Sequence, residues 1–407
     1  MKTLTTWSVL CLLLCAFQFP ARAQDESTAH VTRIQQLFPD ASDFYPHGIP
    51  PDRVPSNTGF GDQVVRSGNT TLVSLIDFDG CIGRVAIFTR NSDGVWERTG
   101  SIDDPDAQPD GRFGASIALD EHAALVTSTQ ALYVYRRGRS GFTLIQRLRA
   151  TDTRNFGAGA LWHGWAFVPT TDHGERFVRV YFFTPRGLLP LQKLRGNGPS
   201  DDGFPGDLAV ANGNLIVGAP TDDEGRGAAY LFEQHGLFWI KRQKLIAMNP
   251  TPGDHFGNAV GVGSGTIAIG APDVRIPATG FGCGSNSTPF YSGFVYVFGK
   301  ARHLWAERQA LPAPECVFQY GANVAADGAW IAATMPGEGL EQSTTAVVYH
   351  REDGGFVVVG SVGATNLLIP SLDLQSRTLL VGLHDERNLE NFDLGEVDVA
   401  RLDESAP

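Results

Sequence analysis

The chain has 407 residues and a formal net charge of −12, with 44 acidic side chains against 32 lysines and arginines. This balance argues against a nucleic-acid-binding protein, because a phosphate backbone is bound by a basic surface. The 47 glycines and 24 prolines are typical of short strands joined by turns, and a closed array of small repeats can hold this length as one domain.

The first 23 residues have the pattern of a secretory signal peptide. Lys2 precedes an apolar run through Leu14, and residues 21–23 have the small-x-small form of a cleavage site. We therefore expect a leader at 1–23 and a single mature domain at 24–407 that is secreted or periplasmic. Neither this run nor any later stretch is long enough for a transmembrane segment. A lipoprotein anchored through a leader cysteine is an alternative, although the preceding leucine is bulkier than lipidation prefers.

The segment Gly203–Leu245 has the pattern of a four-stranded antiparallel meander. Apolar and β-branched runs alternate with turn signals such as Asn212-Gly213 and His235-Gly236. Such a small sheet cannot bury a core alone, which indicates a repeat. Seven similar segments follow one another at intervals of about 40 to 65 residues, a spacing typical of propeller blades. They begin near residues 60, 113, 156, 204, 256, 320 and 369.

The N-terminal segment is predicted to complete the last repeat. Six repeats end in a fourth strand, namely Trp96–Ile102, Phe142–Leu148, Leu188–Leu194, Phe238–Leu245, Leu304–Leu311 and Phe356–Val362. The seventh repeat ends at Leu402 without one, and Val31–Leu37 carries the missing pattern. We therefore predict an all-β fold, a seven-bladed β-propeller of four-stranded antiparallel blades closed by residues 31–37. Closure removes open sheet edges, so a monomer is expected.

Two motifs resemble the FG-GAP repeat. Phe256-Gly257 is followed by Gly-Ala-Pro at 270–272, and the same tripeptide stands at 218–220 in the preceding repeat. FG-GAP repeats build the seven-bladed propeller of integrin α-subunits and of many bacterial secreted proteins, and the resemblance extends over about residues 31–402. It implies a propeller used for binding, with calcium held between the first and second strands in integrin-type blades.

Here the connection between the first and second strands is a tight turn in every repeat, too short to surround a cation that takes six to eight oxygens. Integrin-type calcium sites are therefore not expected.

Aspartates concentrate on one predicted face of the ring. We call it the upper face; it carries the loops that enter each first strand and those that join second to third strands, and the opposite, lower face is expected to be mildly basic. An acidic face could bind cations or a basic partner; alternatively, aspartate is simply the preferred loop residue, capping local N–H groups. The candidate binding residues are Asp77, Asp79, Asp110, Asp202, Asp222, Asp223 and Asp254, with Phe290 and Tyr291. The densest carboxylates, and so the calcium candidates, are Asp77, Asp79, Asp222, Asp223 and Glu224.

The fifth repeat has an enlarged upper loop, Asp273–Ser292, which contributes the two aromatic candidates. A long loop in a compact repeat is usually functional or loosely ordered, and a neutral insertion is the alternative. Cys283 in this loop and Cys316 in the neighbouring one are expected to form a disulfide, leaving Cys81 free and buried. The sequons at Asn69 and Asn286 would be glycosylated only in a eukaryotic secretory pathway.

No catalytic constellation stands out in the sequence. There is no histidine pair at helical spacing and no Gly-x-Ser-x-Gly elbow. We interpret the chain as an exported, non-catalytic binding protein that uses its loop face, without a required cofactor, for a protein or surface-glycan partner. A hydrolase with carboxylates around the axis and a lectin with one site per blade are the alternatives, because propellers also host enzymes.

Overall fold

A computed structural model describes most of the chain between residues 29 and 404. The described residues are 29–39, 59–76, 82–107, 110–139, 141–151, 154–197, 202–276, 290–314, 319–335, 343–365, 368–384 and 395–404. They form seven antiparallel blades in a ring, and the innermost strands contact one another in cyclic order from the first blade to the last and back. The predicted seven-bladed β-propeller is confirmed.

The blades follow the order of the chain after the N-terminal strand β1 (Ala29–Leu37). Blade 1 contains β2 (Phe60–Ser67), β3 (Thr70–Leu75), β4 (Arg84–Arg90) and β5 (Trp96–Asp103). Blade 2 contains β6 (Ile117–Leu119), β7 (Ala123–Thr127), β8 (Ala131–Gly138) and β9 (Gly141–Arg149). In blade 3 the inner strand is split, giving β10 (Arg154–Phe156), β11 (Ala160–Trp162), β12 (Trp165–Asp172), β13 (Glu175–Thr184) and β14 (Gly187–Leu194).

The remaining four blades repeat this order. Blade 4 contains β15 (Leu208–Ala211), β16 (Asn214–Ala219), the single turn α1 (Asp222–Gly225), β17 (Ala228–His235) and β18 (Phe238–Leu245). Blade 5 contains β19 (Ala259–Gly263), β20 (Thr266–Ala271), the small hairpin β21 (Arg275–Ile276) and β22 (Phe290–Tyr291), β23 (Phe294–Ala301) and β24 (Leu304–Pro312). Blade 6 contains β25 (Val324–Asp327), β26 (Trp330–Met335), β27 (Ser343–Glu352) and β28 (Gly355–Thr365), and blade 7 contains β29 (Leu368–Gln375), β30 (Thr378–His384) and β31 (Glu396–Glu404).

Strand β1 supplies the outer strand of blade 7, as the sequence predicts. It pairs antiparallel with β31, with Val31 opposite Leu402 and Leu37 opposite Val397. Among the described residues, the core lies between blades in seven apolar clusters, each joining two consecutive blades. One of them packs Leu37 and blade 7 against blade 1, so the ring is closed by a core contact as well as by a strand pair.

The FG-GAP positions form the junctions between blades. The phenylalanine of one blade lies against the backbone of the preceding blade, where Gly227 bridges Phe256 in parallel. A Cβ on Gly218 would clash with the carbonyl oxygen of Gly257, and one on Gly270 would clash with that of Gly321. The glycines of the motif are therefore needed for the close approach of two backbones.

A glutamine in several outer strands bonds to the next blade. The Gln243 side chain donates to the carbonyl oxygen of Trp305 at 2.7 Å and accepts from its backbone N–H at 3.0 Å. Equivalent two-bond contacts join Gln35 to Trp96, Gln192 to Trp239 and Gln309 to Phe356. A β-bulge lies beside each of these glutamines. These side chains form hydrogen bonds with backbone groups in the outer strands of neighbouring blades, groups that would otherwise be unpaired.

We expect Gln243→Ala to lower the free energy of unfolding by about 1–3 kcal/mol, because two partly buried backbone groups of Trp305 lose their partners. The matched control is Gln130→Ala. Because Gln130 is exposed, this substitution should change the free energy of unfolding by no more than about 0.5 kcal/mol. Urea unfolding measures both. Equal midpoints for the two variants would show that the glutamine contacts do not stabilise the ring.

Within the described residues, no helical segment has the length and apolar character needed to cross a lipid bilayer.

Candidate functional site

Several predicted site residues lie outside the described part of the chain. These are Asp77, Asp79, Cys81, Cys283 and Cys316, so the predicted disulfide and the first calcium candidate stay predictions. The backbones of Phe290 and Tyr291 form β22, which pairs with β21 as a two-residue hairpin. The two ends of the enlarged loop of blade 5 are therefore paired with each other as short antiparallel strands.

Two candidate aspartates are buried and hold their own loops. The Asp202 Oδ1 accepts the backbone N–H of Phe204 at 2.8 Å. Asp254 accepts the backbone N–H of Thr251 at 2.7 Å and also the hydroxyl of that threonine. Their side chains shape the connections that enter blades 4 and 5, in the way aspartate commonly stabilises a loop.

Asp222 is buried and held by a tyrosine and a cation. Tyr230 donates its hydroxyl to Asp222 Oδ2 at 2.9 Å, and Lys244 Nζ lies 2.8 Å from the same oxygen. Burial raises the pKa of Tyr230 to about 12, and the hydrogen bond to Asp222 contributes to the rise. In blade 2, Tyr133 and Arg147 stand at the corresponding strand positions and both bind Asp106, an aspartate of the connection that enters that blade. This recurrence favours a structural role for Asp222.

Asp223 and Glu224 form the exposed end of the same loop. Their side chains are 67% and 74% accessible, and both residues have positive φ, at 50° and 58°. Arg226 Nη1 lies 3.5 Å from Asp223 Oδ1 and 3.1 Å from Glu224 Oε2. Two carboxylates thus share one cation, and the loop end keeps a negative charge.

The loop that carries these carboxylates is braced against blade 5. The backbone N–H of His255 donates to the carbonyl oxygen of Gly225 at 2.8 Å. His255 Nδ1 in turn lies 2.6 Å from Asp273 Oδ2. Residues 221–226, 251–258 and Asp273 therefore form one continuous surface across two blades, which we call the upper loop surface.

The other exposed candidate, Asp110, lies in the connection between blades 1 and 2, well apart in the ring from the upper loop surface. Among the residues that the structure describes, no three histidine, cysteine, aspartate or glutamate side chains are grouped so as to hold a metal ion. Asp222 points inward to its partners, so the second calcium candidate does not gather its three carboxylates at one point.

The axial channel contains functional candidates that the sequence analysis missed. It has a volume of about 870 Å³ and is lined by the inner strands of the seven blades. Asp207 accepts the backbone N–H groups of Leu208 and Val260, each at 2.8 Å. Asp373 accepts that of Arg66 at 2.6 Å. Neither aspartate stands at a position that is an aspartate in every repeat, so the repeat pattern of the sequence does not reveal them.

Burial within the ring raises the pKa of both channel carboxylates to about 6. The charge of Arg66 opposes this rise at Asp373, and Asp327 adds to it, whereas only backbone N–H groups oppose it at Asp207. Neither carboxylate influences the pKa of the other. They lie on blades 4 and 7 and do not form an acid–base pair.

The raised pKa of Asp207 predicts a pH-dependent contribution to stability. Because the folded pKa of about 6 exceeds the unfolded value of about 3.9, the charged carboxylate destabilises the fold above pH 6, and this cost disappears as the pH falls towards 4. Asp207→Asn removes the titration. The free energy of unfolding of the variant minus that of the wild type should be about 1–2 kcal/mol larger near pH 8 than near pH 4.5. This range is lower than the full pKa difference implies, because water in the channel screens the carboxylate.

Thermal unfolding at the two pH values measures this difference. The substitution also disturbs a hydrogen bond, and the loss of that bond lowers stability equally at both pH values. The change in the variant-minus-wild-type difference between the two pH values therefore reports the titration alone. A difference that stays constant between the two pH values would contradict a raised pKa at Asp207.

Comparison with known proteins supports the fold. The FG-GAP repeat model matches residues 239–298, a segment that runs from the outer strand of blade 4 to the third strand of blade 5. The chain thus contains an FG-GAP repeat, which confirms the resemblance at that segment. No curated protein sequence shows significant similarity to the chain.

Two solved structures are similar to the chain at low sequence identity. A candidate 6-phosphogluconolactonase from Bacteroides uniformis ATCC 8492 is similar with a TM-score of 0.51 and 11% identity, covering 74% of this chain and 86% of that one. The WD40 domain of SCAP from fission yeast has a TM-score of 0.44 and 11% identity, covering 84% of this chain and 95% of that one. At 11% identity, the similarity to the Bacteroides uniformis structure is evidence of a shared fold and not of a shared activity.

Proposed function

We propose that this propeller is a non-catalytic binding protein whose upper loop surface holds a protein partner with a basic surface. The observation that carries the proposal is the exposed pair Asp223 and Glu224, presented at the end of a loop that is bonded to the neighbouring blade. A negative surface of this kind attracts basic groups and orients them before contact.

The brace between blades 4 and 5 supports binding over a merely solubilising role. A mobile acidic loop would lose conformational entropy on binding, whereas a loop already held by His255 and Asp273 loses little. The buried Asp222 and Asp254 fix the two loops from below. We propose that the interaction uses no cofactor and takes place outside the cytoplasm, which the signal-like pattern of residues 1–23 supports.

A hydrolase in the axial channel has less support. General acid–base catalysis on a glycoside needs two carboxylates that flank one bond, and Asp207 and Asp373 lie on blades 4 and 7 with separate hydrogen-bond partners. Turnover on a panel of glycosides and esters, lost in Asp207→Asn or Asp373→Asn, would favour the hydrolase over the binding protein.

The binding proposal is tested with a lysine-rich peptide as the probe and isothermal titration calorimetry as the measurement. Asp223→Lys combined with Glu224→Lys should weaken binding about tenfold or more, since charge reversal turns attraction into repulsion. Binding should also weaken as salt is raised. A panel of surface glycans tested in parallel distinguishes the glycan alternative.

The matched control changes two exposed acids on the lower face. Asp93→Lys combined with Asp353→Lys alters the net charge equally, and both residues are exposed in lower hairpins of blades 1 and 6. If this control weakens peptide binding as much as the upper variant does, the effect is one of net charge and the assigned surface is wrong.

A further inference from the structure

The lower face carries a second surface with different chemistry. It consists of the hairpins between the third and outer strands of blades 2 to 5, at residues 136–139, 182–189, 235–240 and 300–304; we call them the lower tips. Large apolar side chains are exposed there, with Leu189 at 52%, Leu237 at 62%, Phe238 at 64% and Leu304 at 61%. Apolar side chains this exposed on adjacent blades indicate an interaction surface.

The lower tips carry positive charge and contain no carboxylate. Arg139, Arg186, Lys300 and Arg302 are exposed, and within the described chain no ion pair involves them. Arg136 donates to the carbonyl oxygen of Pro185, which joins the tips of blades 2 and 3. Cations on blades 2, 3 and 5 and apolar side chains on blades 3, 4 and 5 therefore form one arc of four blades.

The other lower hairpins between third and outer strands carry charges of both signs. The equivalent hairpin of blade 6 carries Arg351 beside Glu352 and Asp353, and that of blade 1 carries Arg90 beside Asp93. Nearer the axis, Glu121 in the inner turn of blade 2 is held by His163 Nδ1 at 2.7 Å. The lower tips of blades 2 to 5 thus differ from these hairpins because they carry cations and apolar side chains without any carboxylate.

We propose that the lower tips dock the protein on an anionic lipid surface, with Leu237, Phe238 and Leu304 entering the headgroup region and the neighbouring cations contacting lipid phosphates. The apolar side chains stand on separate hairpin tips, where a membrane can receive each one independently. A protein partner would instead be expected to fill a central, well-packed pocket. This inference goes beyond the proposed function and does not depend on it.

The net charge of the molecule does not prevent such docking. The upper and lower faces are separated by the length of a strand, about 26 Å for eight residues. The Debye length at physiological salt is about 8 Å. The acids of the upper face are therefore screened from a membrane at the lower face, which also leaves the upper loop surface turned outwards for a partner.

Vesicle co-sedimentation tests the proposal with the protein from residue 24 onward. The protein should bind phosphatidylcholine vesicles that contain phosphatidylglycerol, should bind phosphatidylcholine alone much less, and should be released by salt. Leu237→Glu combined with Phe238→Glu should lower the partition coefficient at least about tenfold. Arg186→Ser combined with Arg302→Ser should lower it on anionic vesicles and leave the weak binding to neutral vesicles unchanged.

The matched control is Ile246→Glu combined with Met248→Glu, which adds the same two negative charges on side chains that are 52% and 72% exposed on the upper face. It should bind vesicles as the wild type does, and thermal unfolding confirms that each variant is folded. Absence of vesicle binding, or a Leu237/Phe238 variant that binds like the wild type, would overturn the proposal. Binding to polyglutamate but not to vesicles would also overturn it and assign the lower tips to an acidic protein.

Discussion

Deletion of residues 29–37 should abolish the cooperative thermal transition of the protein. This strand is the outer edge of blade 7 and packs Leu37 into the cluster between blades 7 and 1. Its loss leaves β31 as an open edge and exposes the core at the ring closure. A domain of this kind is stabilised by about 10 kcal/mol, so loss of one strand and one interface should remove most of it.

Circular dichroism and size-exclusion chromatography of the deletion variant measure the effect. A synthetic peptide of residues 29–38, added in trans, is the control: it should restore part of the transition because it can pair with β31. A deletion variant that unfolds cooperatively, within a few degrees of the wild type, would show that the ring does not depend on its N-terminal strand.

Gly270→Ala should lower the free energy of unfolding by about 3 kcal/mol or more. The added Cβ would clash with the carbonyl oxygen of Gly321, which is backbone and cannot rotate away as a side chain could. Both glycines belong to a blade junction, so relief requires blades 5 and 6 to move apart. Urea unfolding and the thermal midpoint measure the loss.

Gly100→Ala is the matched control for this substitution. Gly100 lies in the outer strand of blade 1, and a Cβ there would meet only Ile87 Cδ1 at an ordinary 3.8 Å. Alanine should be neutral or slightly stabilising at this position. Similar losses in the two variants would mean that glycine is needed at these sites for backbone freedom rather than for close approach.

The fold could be predicted from the sequence because its signals recur. Each blade repeats the same strand and turn pattern, and the absence of a fourth strand after Leu402 indicated that Val31–Leu37 would supply it. The glutamine contacts were also visible in principle, since Gln243 and Gln309 each stand four residues after a tryptophan that is the second residue of their strand. The β-bulge that turns them towards the next blade is not visible in a sequence.

The site was less predictable, because aspartate serves binding and loop capping alike. Asp202 and Asp223 are both loop residues, and only their surroundings separate them: Asp202 accepts the N–H of Phe204, while Asp223 stands exposed. Asp207 was missed because it carries no recurring signal and becomes notable only through its position in the channel.

Hydrogen exchange of the protein with and without a lysine-rich peptide tests the central claim, that the upper loop surface is the binding site. The peptide should protect backbone amides in residues 221–226 and 251–258, and this protection should disappear in the Asp223→Lys, Glu224→Lys variant. Protection confined to the channel strands or to the lower face, or none at saturating peptide, would contradict the claim.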